Sequence, residues 1–81
     1  MTQVILTPQA QKDLKKIPVK KRLKIRQKMQ LLQDNPLLGK KLKRELKEHL
    51  SLKVWPYRVI YEIFKNKVWI THIIHRQQAY K

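Results

Sequence analysis

The feature that most constrains the fold of this chain is a change of hydrophobic period near Leu46. Before that point apolar residues recur every three or four positions, the spacing that lays one face of a helix on a core. After it they alternate with polar residues or run continuously, as in strands covered on one face or on both. With 81 residues there is room for a single domain, 1–81, in which the two kinds of segment share one core.

The elements follow from local signals. Val4-Ile5-Leu6 is a short β-branched run and is expected to be a strand covered on both faces. Thr7 is placed to cap a helix, with Pro8 in its first turn. Ala10, Leu14 and Ile17 fall on one face of that helix, and Pro18 stops it. A longer helix is expected from Val19 to Gln33. Its apolar side is read as Leu23, Ile25, Met29 and Leu32, and Lys20, Lys21, Lys24 and Lys28 lie among its basic residues. Asp34-Asn35-Pro36 ends it, and Leu37 to Lys41 forms a connection that holds the only glycine, Gly39. From Leu46 to Val54 the residues alternate, Trp55-Pro56 makes a turn, and Tyr57 to Phe64 is apolar enough to be a central strand. Lys65-Asn66-Lys67 closes a hairpin into Val68 to Ile74. The expected fold class is α+β: an N-terminal strand, an antiparallel helical hairpin, then an antiparallel three-strand meander.

Charge narrows the partners. Twenty Lys and Arg against five Asp and Glu give a formal net charge of +15. Such a surplus disfavours the compact state by self-repulsion, and a polyanion relieves it. RNA, DNA, an anionic membrane surface and an acidic protein all qualify. The absence of Cys excludes disulfides, thiolate-bound zinc and a thiol nucleophile. No secretory signal is visible at Met1-Thr2-Gln3-Val4, and no apolar run reaches the roughly 18 residues that cross a bilayer. A soluble, cytoplasmic placement is the expectation. Fifteen of the twenty basic residues precede Trp55, whereas all six aromatic residues lie from Trp55 onward. The helical half therefore carries the bulk charge, and the sheet carries the side chains suited to chemistry.

Pairing the strands gathers those side chains. A turn centred on Trp55-Pro56 sets Lys53 opposite Arg58, Ser51 opposite Ile60 and His49 opposite Glu62. A second hairpin centred on Asn66 sets Ile60 opposite His72 and Arg58 opposite Ile74, with Arg76 continuing that face. One face then holds His49, Ser51, Lys53, Arg58, His72 and Arg76. Leu50, Leu52, Val59, Tyr61 and Ile73 point to the helices. A slip of one residue in the second hairpin replaces His72 by Thr71 and breaks the set. Arg and Lys on one face suit a phosphodiester, and His or Tyr can move protons. The five acids are scattered, so no two-metal nuclease centre is expected, and one glycine cannot build a phosphate loop. No cofactor or metal is expected. Metal-independent cleavage is open to RNA, whose 2′-OH is an internal nucleophile.

Three segments carry a resemblance to a known family. YRVIYEI, followed by a hairpin and IIHRQQAY, resembles the signature of the RelE/ParE toxin superfamily of toxin–antitoxin systems. VILTPQAQKDLKKIP is similar to the opening strand and first helix of that superfamily, and NPLLGKKLKREL to its connection into the sheet. The resemblance implies a four-stranded sheet with two helices on one face. In the RelE-like branch it implies a ribosome-dependent mRNA endonuclease that cuts in the A site by 2′-OH attack without metal, leaving a 2′,3′-cyclic phosphate and a 5′-OH. In the ParE-like branch it implies a gyrase inhibitor without nuclease activity, and a degenerate toxin that only binds its antitoxin is a third possibility. By position Arg58 matches the Arg on the scissile phosphate, Arg76 the C-terminal basic residue that supports the transition state, and Tyr80 the Tyr beside the 2′-OH and the stacked base. RelE-type members carry paired Lys on the strand before Tyr57-Arg58. Here those positions are His49 and Ser51, with Lys53 nearby, so His49, Lys53 or Tyr80 can serve as proton acceptor. Lys47, Ser51, His72 and His75 are the further residues expected to contact RNA. The implied partners are a cognate acidic antitoxin, which holds the toxin as a monomer in the complex, and mRNA with the 16S rRNA region of the ribosomal A site; no membrane is expected.

Overall fold

The computed structural model describes residues 2–41 and 49–79. Strand β1 (Gln3–Leu6) is followed by helix α1 (Pro8–Lys15) and helix α2 (Val19–Asp34). A two-residue strand β2 (Lys40–Lys41) comes next, then β3 (His49–Val54), β4 (Tyr57–Phe64) and β5 (Lys67–His75). A single helical turn, α3 (Arg76–Ala79), closes the described chain. The sheet order is β1-β5-β4-β3-β2. Only β1 is parallel to its neighbour, β5; the other pairs are antiparallel. The fold is α+β, and the mixed sheet has four principal strands with β2 as a short addition at one edge. The expected start of β3 at Leu46 lies outside the described residues.

The capping signals act as expected. Thr7 is extended at the start of α1, and its hydroxyl accepts a hydrogen bond from the Ala10 amide. Helix α1 ends before Pro18, and its last carbonyls are met by Arg22. The guanidinium donates to the carbonyl of Ile17 from Nε at 3.3 Å and Nη2 at 3.0 Å, and Nη2 also reaches that of Lys15 at 3.5 Å. The two helices pack on one face of the sheet, α1 over β5 and β1, α2 over β1 and β3.

Ala10, Leu14 and Ile17 of the first helical segment meet Ile25, Met29 and Leu32 of α2 and the inward residues of the sheet in one core. Leu23 does not belong to it, contrary to the expectation, and is 58% exposed. Two residues at about 100° each separate it from Ile25, so it points to the opposite side of α2. β1 also departs from expectation. It is an edge strand whose residues are exposed at Gln3 and only half-buried from Val4 to Leu6. β4 is the middle strand of the sheet, which accounts for its nearly continuous apolar sequence.

Beyond Leu6, β5 has no β1 partner, and Asp13 takes over. Its carboxylate accepts a hydrogen bond from the Ile73 amide at 3.0 Å and another from the Gln9 side chain at 2.8 Å. This bond ties α1 to a strand 60 residues away in the chain. Asp13→Ala is expected to cost about 1–3 kcal/mol, because it leaves the partly buried amide without its acceptor. Urea unfolding of the two proteins measures the difference.

Candidate phosphate-binding face

The β3–β4 register has Lys53 opposite Arg58, Ser51 opposite Ile60 and His49 opposite Glu62, as the turn at Trp55-Pro56 requires. The second hairpin reaches the expected pairing by another route. Its turn is Lys65-Asn66, both with positive φ, and Phe64 pairs with Lys67. Next to the turn the register is therefore one residue off the expected one, with Tyr61 opposite Ile70. A bulge then leaves Thr71 without a partner and restores Ile60 opposite His72 and Arg58 opposite Ile74. The Thr71 hydroxyl donates to the Ile60 carbonyl at 3.2 Å, within the bulge. Below the bulge Trp69 takes the open face, and above it His72 does.

The helix-side residues expected from alternation, Leu50, Leu52, Val59, Tyr61 and Ile73, are all buried. The opposite face is open to solvent at Lys53 and His72 and half-buried at Arg58. Its floor is Ser51 and Ile60, both buried, and the Ser51 hydroxyl has no hydrogen-bond partner among the described residues. A buried serine is placed to shape this floor rather than to project from it.

At the upper end of the face three cations converge on the β3–β4 turn. Lys53 and Arg58 are directly opposite each other on neighbouring strands. Side chains directly opposite on one face of a sheet are close enough to contact one ligand together. Arg76 starts α3 instead of extending β5, and its amide donates to the Pro56 carbonyl at 2.8 Å. That anchor brings the Arg76 guanidinium to 4.7 Å from the centre of the Trp55 ring, and the Lys53 ammonium lies 5.3 Å from the same ring. Both distances are in the range of cation–π attraction. Trp55 is 55% exposed and carries the Lys53 and Arg76 cations over its ring. Its position gave a usable signal: a residue in a two-residue turn projects from the sheet whatever its hydrophobicity.

The other expected residues divide. His49 is on the open face but four residues along β3 from Lys53, about 13 Å at the usual rise per residue. It is engaged with Glu62 at 3.5 Å. The structure thus separates His49 from the Lys53–Arg58–Arg76 group. His72 lies on the open face two residues from Ile74, with Nδ1 3.2 Å from the Thr71 hydroxyl. His75 is on the wrong face for the expected RNA contact. It pairs with Tyr57 and has the parity of buried Ile73, and its ring meets that of Tyr57 edge-on at 5.4 Å. The Gln77 amide donates to its Nδ1 at 3.3 Å. Lys47 and Tyr80 lie outside the described residues. Among the described residues no three His, Asp or Glu side chains come together as a metal site, and no helix is long and apolar enough to cross a membrane.

Two helices on one face of a four-stranded mixed sheet match the RelE-like toxin folds. A family model described as "ParE toxin of type II toxin-antitoxin system, parDE" matches residues 4–80. The chain belongs to this family, and so to the toxins of type II toxin–antitoxin systems in the RelE/ParE superfamily. Among solved structures it is similar to a chain of the RelBE2 toxin–antitoxin complex of Mycobacterium tuberculosis, with 32% identity and a TM-score of 0.85 over 93% of this chain and 98% of that one. It also resembles a chain of the RelB–RelE complex of Methanococcus jannaschii, with 23% identity and a TM-score of 0.76 over 95% of each chain. A chain of the chromosomal ParDE system of P. aeruginosa shares the fold at 19% identity and a TM-score of 0.75, over 93% of this chain and 96% of that one. Among curated proteins none matches the sequence.

Proposed function

We propose that this toxin is a metal-independent endoribonuclease that cuts mRNA in the ribosomal A site. The observation that carries the proposal is the juxtaposition of Lys53 and Arg58 across β3 and β4, with Arg76 drawn to the same turn by Trp55. Three cations gathered at one turn suit a phosphodiester and, still better, the extra negative charge of its transition state. In the reaction a base removes the proton of the 2′-OH as that oxygen attacks the adjacent phosphorus. The bond to the 5′-oxygen breaks, the leaving oxygen takes up a proton, and a 2′,3′-cyclic phosphate and a 5′-OH remain. Arg58 and Arg76 hold the phosphate oxygens. Lys53 is the described residue best placed to assist proton transfer, and Tyr80 is the further candidate that the family resemblance supplies. The lysines of α2, with a net charge of +15 overall, attract the toxin to rRNA. The test is cleavage of mRNA on programmed ribosomes, with the termini of the fragments analysed.

A second reading is favoured by the family model itself, which describes a ParE toxin. In that reading the protein inhibits gyrase and leaves RNA intact. A supercoiling assay run beside the ribosome assay separates the two.

The proposed antitoxin partner is supported by a different surface. Val19, Leu23 and Leu31 on the outer side of α2 and Leu37 beyond it are exposed, at 63%, 58%, 47% and 65%, and they stand among lysines. An acidic amphipathic segment matches both properties. Binding to the folded toxin alone stabilises it by about 2.7 kcal/mol at a free antitoxin concentration 100 times Kd. Thermal melts of the toxin with increasing antitoxin are expected to rise continuously, and Leu23→Asp and Leu31→Asp are expected to weaken the rise.

A further inference from the structure

We infer that Trp55 is a stacking platform for a base of single-stranded RNA, and that the RNA runs from Arg58 along the cleft beside α2 to Trp55. The inference rests on the RNA-cleaving reading and extends it from the scissile phosphate to the neighbouring nucleotides. Trp55 stands in the β3–β4 turn, 55% exposed, with the Arg76 guanidinium and the Lys53 ammonium at 4.7 and 5.3 Å from its ring. An exposed indole beside two phosphate-seeking cations provides both elements of single-strand recognition, a π-face for the base and charge for the backbone.

Two clefts extend the path. One, of about 570 Å³, lies between α2 and the turn and is lined by Lys24, Gln27, Lys28, Leu31, Lys53 and Trp55 among others. The other, of about 390 Å³, shares Lys28, Leu31 and Lys53 with the first and reaches Arg58 and Lys40. The clefts form one basic track with Trp55 at its outer end. Among the described residues no acid lines either cleft, and Lys24, Lys28, Lys40, Lys53 and Arg58 do.

The experiment uses the Trp69→Phe protein, in which Trp55 is the only tryptophan. It is titrated with a single-stranded 2′-O-methyl oligoribonucleotide, which cannot supply the 2′-OH nucleophile. Saturable quenching of Trp55 fluorescence is expected. In the otherwise unchanged protein, Trp55→Ala is expected to weaken oligonucleotide binding about tenfold or more, and Trp55→Phe to recover part of that loss. On ribosomes Trp55→Ala is expected to raise KM, to lower kcat as Arg76 loses the ring that holds it, and to alter the choice of cleavage position. Because the indole is exposed, the variant should keep the wild-type melting temperature, which a thermal scan checks. The inference is overturned if the oligonucleotide fails to quench Trp55 or if Trp55→Ala binds it as wild type does. It is likewise overturned if a poly-glutamate peptide quenches Trp55 and the oligonucleotide does not, since the surface would then serve an acidic protein. Quenching and weakened binding without mRNA cleavage would defeat the nuclease reading and leave the platform standing. Cleavage by Trp55→Ala at wild-type KM and positions would defeat only the platform.

Discussion

Arg58→Ala is expected to lower ribosome-dependent mRNA cleavage about 100-fold or more, with Arg76→Ala losing a comparable amount. The reason is geometric. Arg58 is half-buried on the middle strand of the sheet, so the backbone fixes the origin of its guanidinium. Arg76 is fixed by its amide bond to Pro56 and by the Trp55 ring. Both cations can therefore wait where charge develops on the phosphate, without reorganising during the reaction. Removing one of twenty basic residues barely changes the overall attraction to rRNA. The loss should consequently appear in kcat more than in KM. Arg58→Lys is expected to restore little, because an ammonium cannot contact two phosphate oxygens with the fixed fork of a guanidinium. Single-turnover cleavage on programmed ribosomes measures all three variants. Wild-type rates for Arg58→Ala and Arg76→Ala would remove these residues from the reaction.

The second large effect concerns the support of the face rather than its chemistry. Tyr61 is fully buried on the central strand, and its hydroxyl donates to the Pro36 carbonyl and accepts from the Gly39 amide, each at 2.8 Å. Burial raises the pKa of this phenol, opposed by the Gly39 hydrogen bond, so the hydroxyl keeps the proton that it donates to Pro36. A Cβ on Gly39 would lie 2.8 Å from the Tyr61 hydroxyl oxygen, 2.9 Å from the Ser51 carbonyl and 2.9 Å from the Tyr61 ring. Neither a buried ring nor a strand carbonyl can withdraw cheaply. Gly39→Ala is expected to cost about 1–3 kcal/mol. Tyr61→Phe is expected to cost about 1–3 kcal/mol, because it leaves the Pro36 carbonyl and the Gly39 amide without partners. For a domain of this size each kcal/mol lowers the melting temperature by about 4–8 °C. The hydroxyl is the closest atom to the added methyl, so the double variant should lose less than the sum of the two. Thermal unfolding of the four proteins checks this, and strict additivity would show that the two residues do not share a contact.

Much of the fold was legible because its signals are local. Pro8, Pro18 and Asn35-Pro36 bound the helices, and the alternation from Leu50 to Val54 sets the sheet's inward face. The sequence does not reveal long-range hydrogen bonds. Asp13 reads as one helical acid among many lysines until it is seen to hold the Ile73 amide. The bulge at Thr71 was hidden for a similar reason. A turn centred on Asn66 and a two-residue turn followed by a bulge give the same pairing for Arg58, and only the backbone distinguishes them. Leu23 suggests the core side by its hydrophobicity, but its two-residue spacing from Ile25 sets it on the exposed side of α2. Within the candidate face Lys53, Arg58 and His72 followed from period and register. His75 did not, because Tyr57 carries it to the helix side. Trp55 projects from its turn although its large apolar ring suits packing.

Chemical analysis of mRNA incubated with the toxin, with and without programmed ribosomes, tests the central claim most directly. The expected result is fragments ending in a 2′,3′-cyclic phosphate and beginning with a 5′-OH, formed only with ribosomes and lost in Arg58→Ala. Intact mRNA under these conditions, together with inhibition of gyrase supercoiling by the same preparation, would contradict it and assign the basic face to a protein target.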